Sequence, residues 1–350
     1  TTSTRGRTPG VDPESAGMTD APPMDPSLLP GIYGEPDERN LVGYGASPPD
    51  PKWPNGASVA LSLVLNYEEG AENCLLHGDQ ESEKLLSEIV GAAAYKGQRH
   101  ANMESLYDYG ARAGFWRLHR LLTAKQAPCT VFACGMALER NPQAAKAMQD
   151  AGWEVASHGY RWIDYQDVDD ATEREHLAKT VEVHRKLLGK APVGLYQGKP
   201  NVHTRARAVG MGTFFYDCDS YADDLPYWTT EHGAPHLVVP YTLSENDMRF
   251  AIPNGFSHGG EFSRYLCDSL KYMLDEGRQG HRRMMSVGLH CRLVGRPGRA
   301  AGLAAFLDYA KSFPDVWVCT REQIAKHWYT HHYPGGHAKP QRVLEWLANP

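Results

Sequence analysis

The sequence predicts an α/β protein with a parallel sheet closing towards a barrel, and three observations predict it. The run Val59-Ala60-Leu61-Ser62-Leu63-Val64-Leu65 is apolar, mostly branched and free of proline, the composition of a buried strand. Similar short runs then alternate with helical stretches that carry end signals, the rhythm of strand–helix–strand crossovers. Polar clusters recur where the inferred strands end, and α/β folds place ligands at the carboxyl ends of their strands.

The elements follow in order. Residues 104–126 have helical spacing, with Leu106, Tyr109, Ala113, Trp116, Leu118 and Leu121 able to share a broad face. Residues 128–133 read as a second strand. Residues 141–151 read as a helix with Asn141 as N-cap, Pro142 at its first position and Gly152 after its end. Residues 153–157 form a third strand that runs into His158. Residues 170–188 form another helix, closed by Gly189 in the position that favours a left-handed residue. Further strands are expected at 193–196, 237–240, 285–289 and 315–319. Residues 98–109 and 221–228 read as irregular segments over a pocket, and no internal repeat is found.

One domain accounts for residues 31–335. The first 30 residues are rich in Pro, Ser, Thr, Gly and Asp, too polar to offset their ordering entropy, and read as a mobile arm or as an extension that lies on a neighbouring subunit. Residues 336–350 read as a C-terminal tail. The net charge of −6 provides no field for nucleic acid or anionic lipid, and no apolar run is long enough to span a bilayer. The seven cysteines are scattered, without a Cys-x-x-Cys pair, which favours free thiols in a reducing compartment, read as cytoplasmic. The N-terminus lacks the basic-then-apolar pattern of a secretory signal.

Chemistry concentrates at the strand ends. Glu68 and Glu69 follow the first strand and are closed by Gly70. Two adjacent carboxylates repel, so one is expected to have a raised pKa, the preparation for a general base or proton shuttle. Ser157-His158-Gly159-Tyr160-Arg161-Trp162 follows the third strand, and Tyr196-Gln197-Gly198-Lys199-Pro200 a later one. Asp219, Asp223 and Asp224 lie in an aromatic loop, and Gly288-Leu289-His290-Cys291-Arg292 closes the last apolar run but one. Of the 16 histidines, His158 and His290 stand out because both end inferred strands. His184, on a helix face, is expected to tolerate truncation. Glu69 and His158 are of metal-ligand type, but a third ligand four residues after His158 would fall on Trp162, whose indole offers no lone pair. Two ligands make a weak site, so direct acid/base chemistry without metal or cofactor is favoured. Tyr160 and Trp162 are candidate walls for a flat, small substrate. Cys291, beside His290, is a lesser candidate nucleophile.

This order of carboxylate pair, His-centred motif, aromatic loop and late Leu-His resembles the NodB-type polysaccharide deacetylases, and within them the metal-independent allantoinase branch, the PuuE type. The resemblance runs from about Leu41 to Trp328, most specifically at 64–70, 104–117, 157–166, 223–228, 245–250 and 288–297. It implies a deformed (β/α) barrel in a homo-oligomer, commonly a tetramer. The wider family carries Asp-Asp in its first motif, a base followed by a metal ligand, and Glu68 and Glu69 stand there. His158 matches the first of two metal-binding histidines, and Trp162 replaces the second. His290 matches the late histidine, a general acid. The implied activity is hydrolysis of a cyclic amide, allantoin to allantoate in purine catabolism first, another hydantoin or imide second. N-deacetylation of a carbohydrate, or a scaffold that has lost catalysis, are the alternatives. Tyr160, Arg161, Trp162, Tyr196, Lys199, Asp223, Asp224 and Arg292 are the expected substrate contacts. One departure concerns the aromatic loop: bacterial members of the branch have Tyr-Thr-Gly-Arg where this chain has Tyr196-Gln197-Gly198-Lys199, a point charge in place of a fork.

Overall fold

The computed structural model describes residues 39–230 and 232–349, so the arm expected at 1–30 lies outside the described residues. In chain order the elements are β1 (Val59–Tyr67), α1 (Ala101–Tyr109), α2 (Phe115–Ala124), β2 (Thr130–Ala133), α3 (Gly135–Arg140), α4 (Pro142–Asp150), β3 (Glu154–Ser157), α5 (Asp170–Leu188), β4 (Gly194–Leu195), α6 (Thr204–Met211), β5 (Tyr216–Asp217), β6 (Tyr227–Thr229), β7 (His236–Val238), α7 (Gly259–Arg278), β8 (Arg283–His290), α8 (Pro297–Lys311), β9 (Val316–Cys319), α9 (Arg321–His331) and α10 (Gln341–Ala348). The sheet runs β6-β7-β5-β4-β3-β2-β1-β8, parallel except for the β6–β7 pair. β1 is its axis and is buried along its whole length. It pairs with β8 on one edge, while the other edge is divided between β9 at Val59–Ser62 and β2 at Val64–Tyr67. The result is a curved half-barrel of mixed α/β type with helices outside.

Strand alternation sorts the side chains into two cores. Odd-numbered residues of β1 (Val59, Leu61, Leu63, Leu65, Tyr67) pack outwards against the helices, with Phe115, Leu118, Phe262, Leu266, Leu303 and Phe306. Even-numbered Ala60 and Val64 face the barrel interior, with Phe132 of β2, Ala156 of β3, Met284 of β8 and Tyr196, Tyr216 and Tyr241. Arg321 is buried in that interior, donating to Ser286 Oγ at 2.8 Å and to the Val239 and Pro240 carbonyls. The strand register sets Asn66 opposite His290 across β1–β8, and Ala133 opposite Ser157 across β2–β3.

The expected caps form as read. Asn141 Oδ1 accepts from Ala144 N at 3.2 Å before Pro142, and Gly189 closes α5 at φ 74°. Elsewhere the structure corrects the reading. The single helix expected at 104–126 is two helices joined by a π turn at Gly110–Gly114, and it begins at Ala101 inside a segment read as irregular. The start is capped by the ring of His100, which accepts from Met103 N, and histidine is not a residue that announces a cap. Both glycines of the turn are required sterically, because a Cβ at Gly110 would overlap the Glu69 carboxylate and one at Gly114 the Cys291 carbonyl. The segment 221–228 ends as β6. The tail at 336–350 contains α10, whose Trp346 stacks on Phe215 with centroids 4.4 Å apart.

His184 is fully buried on α5, and burial pushes its pKa down to about 4, so truncation will not be silent. His184→Ala should lower unfolding free energy by roughly 2–4 kcal/mol through the cavity left behind, measured by urea denaturation. The wild type should also lose stability as pH falls from about 6.5 towards 4, because the unfolded ring takes up a proton that the buried ring refuses. The variant should lack that component.

Candidate active site

The barrel alternation carries directly into the site. Glu68, His158 and His290 are even-numbered continuations of the inward faces of β1, β3 and β8, so all three point to the barrel axis at the carboxyl end of the sheet. Glu68 Oε1 lies 3.3 Å from His158 Nε2 and 3.4 Å from His290 Nε2. Its second oxygen is ion-paired with Arg292 Nη2 at 2.7 Å. Glu68, His158 and His290 form the floor of a cavity of about 420 Å³, whose wall includes Asn66, Trp162, Tyr196, Lys199 and Tyr241. The rest of the lining is mostly apolar, with Leu85, Leu86 and Ile89 from one segment and Leu243, Met248 and Ile252 from another.

Glu69, at the odd position, turns outwards instead. Its carboxylate sits against Gly110, accepts from Glu68 N at 3.2 Å and lies 3.4 Å from Arg292 Nη1. It does not reach the cavity. The two glutamates therefore part company electrically. Burial acts to raise both, but for Glu68 the charges of Arg292 and His290 and the hydrogen bond from His158 outweigh it, holding the carboxyl well below its usual range. For Glu69 burial prevails, assisted by repulsion from Glu68, and its pKa is raised. The member of the pair with the raised pKa is the one behind the site.

His290 is oriented by Asp247, a residue the sequence did not single out. Asp247 Oδ1 lies 2.6 Å from His290 Nδ1, and Oδ2 accepts the backbone N–H groups of His290 at 2.7 Å and Val294 at 2.9 Å. Burial opposes the imidazolium, but Asp247 and then Glu68 outweigh it and lift the His290 pKa to about 9. His158 Nδ1 is 2.8 Å from the Tyr196 carbonyl, which can only accept, so Nδ1 donates there while Nε2 faces Glu68. Lys199 Nζ lies 3.7 Å from the Trp162 ring centroid, and burial lowers its pKa. The Lys199 loop is pinned by Asp219, which accepts from Gln197 N and Gly198 N at 2.7 Å each.

Other expected contacts fall elsewhere. The Tyr160 hydroxyl donates to Glu139 at 2.8 Å, with Lys179 over its ring, because Gly159 at φ 69° turns the chain away from the axis. The Arg161 guanidinium is spent on the Ala71 and Glu72 carbonyls and on Asp79. Asp223 and Asp224 border separate surface cavities, Asp223 accepting from Leu225 N at 2.9 Å. Arg292 lies behind Glu68 and Glu69 over the Tyr107 ring, 4.1 Å from its centroid, and is absent from the cavity wall. Cys291 faces outwards and buried, its thiol pushed well above the usual range, which leaves no reactive thiolate. Besides Asp247, sequence reasoning missed Asn66, Tyr241 and Asn246. Asn246 and Asp247 fall within the 245–250 segment, but nothing local marks them as reaching His290.

The wider family implies a metal, and the donor set here does not fit one. Among the described residues no three His, Cys, Asp or Glu side chains are placed to hold a single ion. The negative charge that a divalent cation would meet at the glutamate pair is already met by the Arg292 guanidinium, and Trp162 contributes no donor. Glu69, the family's ligand position, is directed away from the cavity.

A deformed (β/α) barrel with a carboxylate and two histidines at its mouth defines a class of hydrolases. Residues 98–209 match the polysaccharide deacetylase family. A Schizosaccharomyces pombe protein named "Putative polysaccharide deacetylase" is 40% identical over 316 residues, covering 85% of this chain and 98% of that one. The crystal structure of a "probable Polysaccharide deacetylase" from Pseudomonas aeruginosa PAO1 is 51% identical, with a TM-score of 0.82 over 85% of this chain and 99% of that chain. The crystal structure of PuuE allantoinase is 50% identical, with a TM-score of 0.83 over 85% of this chain and 98% of that chain. The chain belongs to the polysaccharide deacetylase family, and it is a hydrolase of that superfamily. Among the described residues no helix is long and apolar enough to cross a membrane.

Proposed function

We propose that this enzyme hydrolyses a ring amide, with allantoin to allantoate as the first candidate. Trp162 carries the proposal: an indole stands in the cavity wall with the Lys199 ammonium over it, and together they suit a flat polar ring. The 50% identity to PuuE allantoinase supports the same choice. Glu68 Oε1, set between the Nε2 atoms of His158 and His290, offers the acceptor for a proton of the attacking water. Glu68 takes a proton as the water oxygen bonds to the ring carbonyl carbon. The His290 imidazolium then gives its proton to the ring nitrogen as the C–N bond breaks, leaving an amide or urea nitrogen and an open-chain carboxylic acid, whose proton passes to the now neutral His290 to give the carboxylate. A homotetramer in a reducing cytoplasm belongs to the same proposal.

A second ring substrate is favoured by the apolar side chains of the lining and by the engagement of Arg161 and Arg292 elsewhere. Two lysines, Lys84 and Lys199, line the cavity, and Lys199 is the one held over Trp162; a lysine makes single contacts where a guanidinium would fork. Measurable turnover of a simpler ring, such as hydantoin, is therefore expected beside allantoin. Lys199→Arg should shift the ratio of kcat/KM values towards allantoin, whose ureido carbonyl oxygen can receive two N–H groups of one guanidinium. An unchanged ratio, with Lys199→Ala also harmless, would remove Lys199 from substrate recognition. The deciding experiment for function is turnover of allantoin, hydantoin, succinimide, dihydrouracil and chitin oligomers before and after chelation. Activity confined to chitin oligomers, or lost on chelation and restored by zinc, would overturn the proposal.

A further inference from the structure

We infer that Tyr241 donates a hydrogen bond to the carbonyl oxygen of the bound substrate and to the oxyanion that forms on it. The inference rests on the proposed attack upon an amide carbonyl in this cavity, whether that amide lies in a ring or in an acetamide. Tyr241 follows β7 and is buried in the barrel interior, edge-on to Phe132 and Tyr196 at centroid distances of 5.3 and 4.9 Å. Its hydroxyl oxygen receives Asn66 Nδ2 at 3.0 Å and Asn246 Nδ2 at 3.4 Å.

The direction of both bonds is fixed by what else the two amides touch. Asn66 Nδ2 also donates to the Leu289 carbonyl at 3.2 Å, and a carbonyl can only accept. Asn246 Nδ2 donates to the Thr242 carbonyl at 3.1 Å, while its Oδ1 accepts from Met248 N at 2.9 Å. Turning either amide around would set oxygen against oxygen. The phenol oxygen therefore accepts twice, which fills its lone pairs and leaves one O–H to be donated. The described residues that contact the hydroxyl supply donors only, and a buried O–H left without an acceptor is costly.

The hydroxyl end opens on the catalytic floor. Tyr241 separates two cavities, but Asn66 and Asn246 line the one that holds Glu68 and His290 and are absent from the other. Asn66 is the register partner of His290 and precedes Glu68 by one inward position. A Cβ on Gly288, one inward position before His290, would overlap the Tyr241 hydroxyl, so that glycine makes the room it occupies. Burial, with a contribution from Asp247, raises the phenol pKa and keeps the proton on it. A donor held by two amides, beside the base and the acid, is the arrangement an oxyanion needs.

The test uses whichever substrate the turnover screen identifies, so that the identity of the substrate and the role of Tyr241 are decided separately. Tyr241→Phe should lower kcat by about 10²–10³-fold and leave KM within about threefold. With the sulfur analogue of the scissile carbonyl, such as a thiohydantoin for hydantoin, the same substitution should cost less than about tenfold, since sulfur is a weak acceptor. A purely structural role would depress both substrates equally, and that result, or an unchanged kcat on the oxygen substrate, would overturn the inference. Should the phenylalanine variant melt early, Asn66→Asp provides the second arm. Its carboxylate gives the phenol an acceptor inside the protein, so kcat should fall with Tyr241 still in place. Full activity in that variant would also overturn the inference.

Discussion

Glu68→Gln should lower kcat by about 10²–10⁴-fold, the usual contribution of a positioned base, with KM little changed. The amide is nearly isosteric, so the interior packing survives, but it cannot accept the proton of an attacking water. Its neighbours also lose their counter-charge: Arg292 at 2.7 Å and His290 at 3.4 Å would face a neutral group. Glu69→Gln provides the contrast. It removes a carboxylate that lies behind the wall, so it should affect stability more than turnover. Steady-state kinetics on both variants, with thermal melts, separate the two glutamates. A loss below about tenfold for Glu68→Gln in a folded protein would exclude it as the base.

His290→Ala should cost a comparable factor in kcat, because the leaving nitrogen departs poorly without a proton. A finer experiment alters Asp247. With the His290 pKa at about 9, the acid form persists through neutral pH, and the alkaline limb of kcat/KM should lie near that value. Asp247 is the largest influence raising it, so Asp247→Asn should move this limb down by roughly 1–2 pH units. The sign follows from charge: removing an anion beside an imidazolium makes the proton easier to lose. The stability linkage runs the same way. A histidine whose folded pKa is raised stabilises the protein at low pH and loses that contribution as pH rises through about 9. A profile whose alkaline limb does not move would remove His290 as the titrating acid.

Glu68, His158 and His290 could be found in the sequence because the signals that mark them are local. Each ends an apolar run, and an inferred strand end is also where a barrel collects its reactive groups. The same alternation that placed them would have separated Glu68 from Glu69, since odd positions on these strands face the helices, whereas Tyr160, at an even position, leaves the axis only because Gly159 turns the chain. Asp247, Asn246 and Tyr241 were not legible, because their roles arise from packing between β7, the segment after it and β8. The caps of α4 and α5 were legible from Asn141, Pro142 and Gly189, and β4 lies within the strand expected at 193–196, whereas β5 has two residues and leaves no periodicity to read. The π turn was hidden for another reason: Gly110 and Gly114 are explained only by the close approach of Glu69 and Cys291.

The even-position geometry also bears on how the enzyme comes into being. The Asn66–Leu289 contact beneath the floor spans 223 residues of sequence, and the His158–Glu68 contact spans 90. Such pairings are late rewards on a folding landscape, because long loops must close before they form. A nascent chain halted before β8 would have β1 with one whole edge unpaired and Glu68 buried without His290 or Arg292. Catalytic competence should therefore arise in a single step at the end of synthesis, and the exposed edge of β1 in the interim is a template for unwanted strand addition.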